Sequence, residues 1–447
     1  MERLEGYIAA LRERCGQVPD KRSGSNSRYG MADIGLSAFS VFFMQSPSFL
    51  AHQRVLAERC GRSNAETLFG MTTIPCDNHI RQMLDGAPTD HFDPVFAKIV
   101  EELDGSGGLQ PMRRLDGRML IALDGSEHFC SRKIHCPHCS TRRRADGATE
   151  YFHSFVGATL VAPGHATVLP LPPEFVRRED GADKQDCESA TARRWLGRIG
   201  RRYAWLRPVY LGDDLYAHQP MCADVLAAGG SFIFVCKPSS HKTMTEYLTG
   251  VELDGFERTV GVGSAKRLHR YRWMEGVPLR DGNDALVVNW LEIEIAKPNG
   301  KVTYRNSFVT NLPVNRQTVA DLVACGRARW KIENETFNVL KNNGYHLEHN
   351  FGHGKDTLAS VLVALNLLAF AMHNACDLVA APWQKARHKL GARNRLFTHI
   401  WSITAYHVFR SWHALMRTII TGVPPPQKRL TAPSETPSTP NPYTSDT

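Results

Sequence analysis

Short apolar runs alternate with helical periods through the middle of the chain, and their order predicts an α/β fold. The first run, 119–123, ends on Asp124 and Gly125, which is typical of a buried strand that leads into a turn. Further strands are predicted at 151–161, 166–171, 208–213 and 232–235, with amphipathic helices at 184–203 and 214–228. The order β-β-β-α-β-α-β indicates a mixed sheet flanked by helices.

The same pattern divides the chain into segments. Residues 1–112 have helical periods and no catalytic grouping, so they are predicted to form a helical N-terminal module. Residues 113–380 hold the predicted sheet, and alternation over 251–315 indicates a β-rich insertion within it. A helical segment is predicted at 381–423, before a tail at 424–447 whose Pro, Ser and Thr content predicts disorder.

Composition narrows the class of protein. The chain has 447 residues, of which 42% are hydrophobic and 22% charged, as in soluble globular proteins. Its most apolar stretch, 358–372, is shorter than the roughly 20 residues of a membrane span, so a buried helix is predicted and no membrane partner. The net charge of +9 suits a polyanionic partner. Eleven cysteines without a framework pattern, and an N-terminus unlike a secretory signal, indicate reduced thiols and a cytoplasmic location.

Three acidic side chains stand out because of their positions in the predicted fold. Asp124 ends the first predicted strand, Asp213 ends the fourth, and Glu333 lies on the helix that follows the insertion. Ends of central strands are adjacent in space, and clustered carboxylates are the hard oxygen ligands that Mg²⁺ prefers. Two such ions, about 3.5 to 4 Å apart, suit in-line displacement at a phosphate. The three side chains are therefore predicted to form a metal site.

Three stretches around these carboxylates resemble the DDE transposases of bacterial insertion sequences. They are Leu123-Asp124-Gly125-Ser126, the stretch 211–216 with sequence LGDDLY, and the stretch 329–341 with sequence RWKIENETFNVLK. The likeness is to the branch with a Tyr-Arg-Glu-Lys signature helix and a β insertion in an RNase H-like core. It covers roughly residues 115–380.

The resemblance implies a function for the central domain. It implies that residues 113–380 form an RNase H-like catalytic domain, in which Asp124, Asp213 and Glu333 bind two Mg²⁺ or Mn²⁺ ions. The implied reaction is DNA strand cleavage and strand transfer at the terminal inverted repeats of an insertion sequence. The implied partners are double-stranded DNA, which the N-terminal module at 1–112 is also expected to bind, and a second copy of the chain. The implied location is the bacterial cytoplasm, with the protein on the nucleoid when it is bound to DNA. Arg329 matches the signature arginine and is expected to contact DNA phosphate.

The chain departs from the family pattern at two positions. Gly326 lies where the signature tyrosine belongs, and Lys341, the expected DNA-binding lysine, lies one residue further from Glu333 than the pattern expects. Asp214 and Glu335 are the local rivals of Asp213 and Glu333. Each motif also has a plainer interpretation: an Asp-Gly turn, a solvated acidic pair and a surface ion pair on a helix.

A cysteine and histidine cluster follows the first predicted strand. Its candidate zinc ligands are Cys130, Cys136, His138 and Cys139, with His128 or His153 as alternatives to complete a tetrahedral site. Ordinary packed thiols remain the competing interpretation, because no second C-x-x-C follows. A later group, His346, His349 and His353, is expected to be exposed in a loop. The adjacent run Arg142, Arg143 and Arg144 is predicted to be a solvated loop that can bind phosphate.

Two other functions fit the same residues. A co-opted transposase that has lost its chemistry would still bind DNA through its basic surface. An RNase H-like nuclease would cleave DNA without joining strands. An intact carboxylate triad favours the catalyst over the silent DNA-binding protein.

Overall fold

The computed structural model describes residues 1–23, 28–57, 60–180 and 184–424, so the tail predicted to be disordered lies outside the described residues except for Pro424. The helices before the sheet are α1 (Glu2–Gly16), α2 (Met31–Phe43), α3 (Phe49–Ala57), α4 (Gly61–Phe69), α5 (Asp77–Leu84) and α6 (Asp93–Gly105). The later helices are α7 (Lys184–Arg198), α8 (Gln219–Ala227), α9 (Lys242–Thr249), α10 (Val319–Arg327), α11 (Asn338–Asn342), α12 (Leu358–Val379), α13 (Ala381–Leu390), α14 (Arg393–Tyr406) and α15 (Trp412–Thr421).

The strands carry the mixed α/β architecture that the sequence predicts. They are β1 (Leu120–Ser131), β2 (Ser140–Arg143), β3 (Thr149–Val161), β4 (Leu169–Pro170), β5 (Glu174–Phe175), β6 (Val209–Gly212), β7 (Ser231–Val235), β8 (Asp254–Val260), β9 (Arg267–Pro278), β10 (Val287–Ala296) and β11 (Val302–Thr310). In the described part of the chain they form one sheet, in the order β2-β3-β1-β6-β7-β11-β10-β9-β8. Both β4 and β5 pair with β3.

The centre of the sheet is parallel and the rest is antiparallel. β6 runs parallel to β1 on one side and to β7 on the other. All residues of β6 and β7 are buried, as expected for strands that are covered on both faces. Their side chains are apolar almost throughout, which is why the short runs in the sequence identify these strands. The carboxyl ends of β1 and β6 therefore open on the same side.

β1 differs from its prediction. The sequence predicts a strand that ends at Asp124 in a turn, whereas the strand continues to Ser131 and pairs Asp124 with Gly157 of β3. Gly125 is thus a strand residue, and its small size is needed because any side chain there would collide with the carboxylate of Glu188. The Asp-Gly pair reflects close packing in the sheet, and the turn interpretation is wrong.

Residues 251–315 carry four strands, β8 to β11, as the alternating pattern indicates. These strands extend the central sheet, because β11 pairs with β7 in antiparallel register at Phe308–Val235 and Val309–Phe234. Charged side chains also connect neighbouring strands, since Arg272 of β9 and Arg305 of β11 both donate hydrogen bonds to the carboxylate of Glu292 on β10. The insertion is therefore continuous with the sheet that holds the carboxylates.

The two ends of the chain pack around α12. This helix is long and apolar enough to cross a membrane, but 94% of its most apolar stretch is buried inside the protein, which is the pattern of a core helix. The Phe43 ring of α2 lies 4.4 Å from the His373 ring of α12, centroid to centroid. Asn64 donates hydrogen bonds of 2.8 Å to the carbonyl oxygens of Thr404 and His407. The N-terminal and C-terminal helices therefore share one core.

Candidate active site

The parallel pairing of β1 and β6 sets Asp124 and Asp213 side by side. The last paired residues are Ala122 and Leu211, and each aspartate lies two residues further along its own strand direction. The side chain of Asp124 is 17% exposed and that of Asp213 is half-buried. Both carboxylates therefore lie at the opening where the two central strands diverge.

The two aspartates at the end of β6 make different contacts. Asp213 caps the short helical turn 214–216, since its Oδ1 accepts a hydrogen bond of 2.9 Å from the Leu215 amide. Asp214 binds elsewhere: it accepts a hydrogen bond of 2.6 Å from the Lys237 amide and contacts Ser240 and His241. Although burial opposes its ionisation, these hydrogen bonds hold the pKa of Asp214 at about 2. The carboxylate of Asp214 therefore stabilises the local structure through contacts with Lys237, Ser240 and His241.

Glu333 lies in a π-helical turn, Ile332–Phe337, between α10 and α11. Such turns widen a helix locally and are frequent at functional sites. Phe337 packs on Gly157, where a side chain would leave a Cβ only 2.9 Å from the ring. Thr336 Oγ1 also bonds to Thr159 Oγ1 at 3.3 Å. Because Gly157 is the partner of Asp124 in the sheet, these contacts place the turn beside the aspartate.

Arg329 connects the turn to the sheet. Its Nη1 lies 2.6 Å from Glu333 Oε1 and 4.0 Å from Asp124 Oδ2, and its side chain is 20% exposed. The pair with Glu333 has the spacing of a helix surface ion pair, but the third partner and the burial distinguish it from an isolated surface pair. Arg329 is the cation held among the carboxylates.

Glu188 of α7 is a fourth carboxylate that the sequence reading missed. Its carboxylate lies against the backbone of Gly125, and its Oε1 accepts a hydrogen bond of 2.9 Å from the Tyr216 hydroxyl. Burial raises the pKa of Tyr216, so its hydroxyl remains a donor to Glu188. The arginine periodicity of α7 dominates its sequence pattern and hides this residue. No sequence pattern distinguishes Glu188 from the other acidic residues, and its role becomes visible only in the structure.

The four carboxylates, which we call the acidic cluster, are Asp124, Glu188, Asp213 and Glu333. Burial raises the pKa of Asp124 to about 7, and the charges of Glu188, Glu333 and Asp213 add to this effect, while Arg329 opposes it. The cluster gathers carboxylate oxygen atoms in one place, and such oxygen atoms are the ligands that hard divalent cations prefer.

The departures from the family pattern have local explanations. Gly326 of α10 lies directly on the sheet, where an added Cβ would be 2.9 Å from Ile233 Cγ2 and from the Phe308 ring. A tyrosine has no space at that position. Lys341 forms an ion pair of 2.8 Å with Glu348, so its charge is partly compensated within the chain.

The arginine run lies partly on β2, and the solvated-loop prediction is wrong. Arg142 is a strand residue that binds Glu127 at 2.6 Å and Glu150 at 3.0 Å. Arg144 binds Glu150 at 2.7 Å, whereas Arg143 is exposed. Arg142 lines a cavity of about 530 Å³ together with Gly125 and Glu188.

The cysteine and histidine candidates separate into two groups. Cys136 and Cys139 lie together with His153 and with His353, which is buried and not exposed as the sequence predicts. The other two predicted zinc ligands, Cys130 and His138, have different contacts. The exposed Cys130 contacts Glu150 and Arg142, and the exposed His138 lies 3.2 Å from Asp356. His346 and His349 do not belong to the group of possible ligands among the described residues.

Comparisons with known proteins give a structural likeness. No protein-family model and no curated protein matches the chain. Among solved structures, the fold is similar to that of piggyBac transposase in its synaptic complex with hairpin DNA, with a TM-score of 0.41 and 8% identity. The alignment covers 98% of this chain and 84% of that chain.

Proposed function

We propose that this protein is a DDE-type transposase, which cleaves DNA strands at the terminal inverted repeats of an insertion sequence and joins them to a target. The observation that supports this most directly is the acidic cluster, in which Asp124 of β1 lies beside the end of β6, and burial together with the charges of the neighbouring acids raises the pKa of Asp124 to about 7. The order of β1, β3, β6 and β7, with helices after β6 and after the insertion, is consistent with an RNase H-like core.

The chemistry of the donor set fits divalent metal. Asp124, Asp213 and Glu333 offer carboxylate oxygens, and Glu188 lies close enough to orient or join them. Two Mg²⁺ or Mn²⁺ ions bound there would activate an attacking oxygen and stabilise a leaving oxygen at phosphorus. Glu333 is 49% exposed, so it can change its position when the site is loaded, whereas Asp124 is fixed by the sheet.

The remaining roles belong to cations. Arg329, which lies between Asp124 and Glu333, would contact a phosphate that enters the site, and until then its guanidinium partly compensates the charges of the two acids. Arg142, Arg143 and Arg144 lie on or next to β2, beside the cavity that Glu188 also lines. With Lys341 and the net charge of +9, they would hold the DNA backbone.

The rest of the proposal follows from that activity. The partner is double-stranded DNA, both at the transposon ends and at the target. Paired ends call for two copies of the chain, so we propose a homodimer in the DNA complex. The place of action is the bacterial cytoplasm, on the nucleoid.

The test is cleavage and joining of a labelled duplex that carries the element's own terminal repeats, in Mg²⁺, Mn²⁺ or EDTA. Wild type is compared with Asp124→Asn and with Glu333→Gln. We expect metal-dependent joined product from wild type alone. Repeats bound without cleavage would replace the proposal by a co-opted DNA-binding protein, and cleavage without joined product would replace it by a nuclease.

A further inference from the structure

Four sulfur and nitrogen atoms meet about one point at the base of the β2–β3 hairpin. They are Cys136 Sγ, Cys139 Sγ, His153 Nε2 and His353 Nε2, and all lie within 4.8 Å of one another. Cys136 and Cys139 come from the loop before β2, His153 from β3, and His353 from the segment after α11. We call them the Cys-His cluster.

The spacing of these atoms matches the edges of a tetrahedral zinc site. With Zn–S near 2.3 Å and Zn–N near 2.0 Å, a tetrahedron has S–S edges of about 3.8 Å and S–N edges of about 3.5 Å. The observed Sγ–Sγ distance is 3.8 Å. The Cys139 sulfur lies 3.4 Å from both imidazole nitrogens, and the Cys136 sulfur lies 3.5 Å from His153 Nε2. Side chains that merely fill space have no reason to adopt all these distances together.

The surroundings also suit a metal. Cys139, His153 and His353 are buried and Cys136 is half-buried. Two thiolates and two neutral imidazoles around Zn²⁺ have no net charge, so burial of the complete site carries little electrostatic cost. His353 is already oriented, because its Nδ1 lies 2.9 Å from the Gly354 carbonyl oxygen and donates to it, which leaves Nε2 with its lone pair toward the cluster.

We propose that Cys136, Cys139, His153 and His353 bind one structural zinc ion. Four protein ligands close the coordination shell, which distinguishes a structural site from a catalytic one that keeps an open position. The ion would join the β2–β3 hairpin to the segment that follows the Glu333 helix, two parts of the chain separated by 214 residues between Cys139 and His353. It would also fix Cys139, which lines the same cavity as Gly125 and Glu188.

The first measurement is metal content of the full chain, expressed in zinc-containing medium and dialysed against Mg²⁺ buffer. We expect one zinc per chain for wild type. Cys139→Ser and His353→Asn should lose the zinc. Cys130→Ser and His138→Asn are matched controls from the same loop that should keep it, and Asp124→Asn should also keep it because the acidic cluster is a separate site.

A second measurement does not depend on a variant folding. Wild type purified from cobalt-supplemented medium should show thiolate-to-cobalt charge-transfer absorption with the intense visible bands of tetrahedral coordination by two sulfurs and two nitrogens. Wild type without bound zinc and without these bands would overturn the proposal. Loss of zinc in Cys130→Ser equal to that in Cys139→Ser would overturn the donor set.

Discussion

The acidic cluster and the Cys-His cluster lie beside the same cavity, which both Glu188 and Cys139 line, but they are built on opposite principles. The acidic cluster is partly open and gathers like charges, so that burial and repulsion raise the pKa of Asp124 to about 7. The Cys-His cluster is closed: its four donor atoms lie within 4.8 Å of one another, and two thiolates and two imidazoles around a zinc ion would have no net charge.

The two clusters affect the stability of the fold in opposite ways. Carboxylates that lie close together repel one another and destabilise the fold, and such clusters are found at sites that bind a substrate or a metal. A closed set of soft ligands does the reverse, because metal binding to it adds directly to folding free energy. Zinc in the Cys-His cluster would therefore stabilise the region of the protein that also contains the acidic cluster.

The largest expected effect is on the aspartates at the end of β6. Asp213→Asn should lower DNA strand cleavage by roughly 10³-fold or more, because the site would lose a ligand of the metal ions that stabilise the transition state. Asp214→Asn is the matched control, since its carboxylate contacts the Lys237 amide and Ser240. Single-turnover cleavage measures both. Equal losses in the two variants, with both folded, would contradict the assignment of Asp213.

A second pair tests the signature helix in the same way. Glu333→Gln should lower cleavage by a similar factor, roughly 10³-fold, and should also release Arg329 from its 2.6 Å ion pair. Glu335→Gln, two residues along the same π-helical turn, should retain cleavage within a few-fold of wild type. The informative measurement is the Mg²⁺ concentration for half-maximal rate, which should rise for Glu333→Gln alone. A rise for Glu335→Gln alone would exchange their roles.

Glu188 should have an intermediate effect. Its position against Gly125 and its bond with Tyr216 suit a residue that orients the metal-binding carboxylates, and loss of such a partner costs about 10- to 100-fold in metal affinity or activity. We expect Glu188→Gln to cleave more slowly and to recover in part at high Mn²⁺. Tyr216→Phe, which removes only the hydrogen bond, should show a smaller loss. An unchanged metal requirement in Glu188→Gln would remove Glu188 from the site.

The comparison also shows what sequence can and cannot predict. The adjacency of Asp124 and Asp213 follows from short apolar strands and from the rule that parallel strands end on the same side. Cys136 and Cys139 are found by their spacing. The missing members come from distant helices and loops: Glu188 lies on a helix with an arginine pattern, and His353 lies 214 residues from Cys139.

Boundaries and turns were predicted less well than contacts between strands. The Asp-Gly pair was interpreted as a turn because local composition favours one, but Gly125 is small so that Glu188 can approach. Similarly, position 326 accommodates only a glycine because α10 lies on Ile233 and Phe308. In both positions a tertiary contact selects the residue, and no window of sequence contains the partner.

The smallest expected effect concerns stability. The folded pKa of Asp124, about 7, is raised above its usual value of 3.8. Between these values the folded protein holds a proton that the unfolded chain has lost. The contribution of Asp124 to stability is therefore fully present below about pH 4 and is lost as pH rises to about 7. Three pH units would correspond to about 4 kcal/mol, but readjustment of the coupled neighbours should reduce the effect to about 1–2 kcal/mol.

Asp124→Asn should therefore unfold at higher denaturant concentration than wild type in EDTA at pH 8, and the difference should shrink toward pH 4. Mg²⁺ should reduce the difference at pH 8, because a bound cation stabilises the wild-type carboxylate and has less to bind in the variant. Chemical denaturation at pH 4, 6 and 8, with EDTA or with Mg²⁺, measures how the stability difference between the two proteins depends on pH and on Mg²⁺. Zinc in the Cys-His cluster should contribute equally to the two proteins, so a difference that grows toward low pH would show that Asp124 is not held among repelling charges.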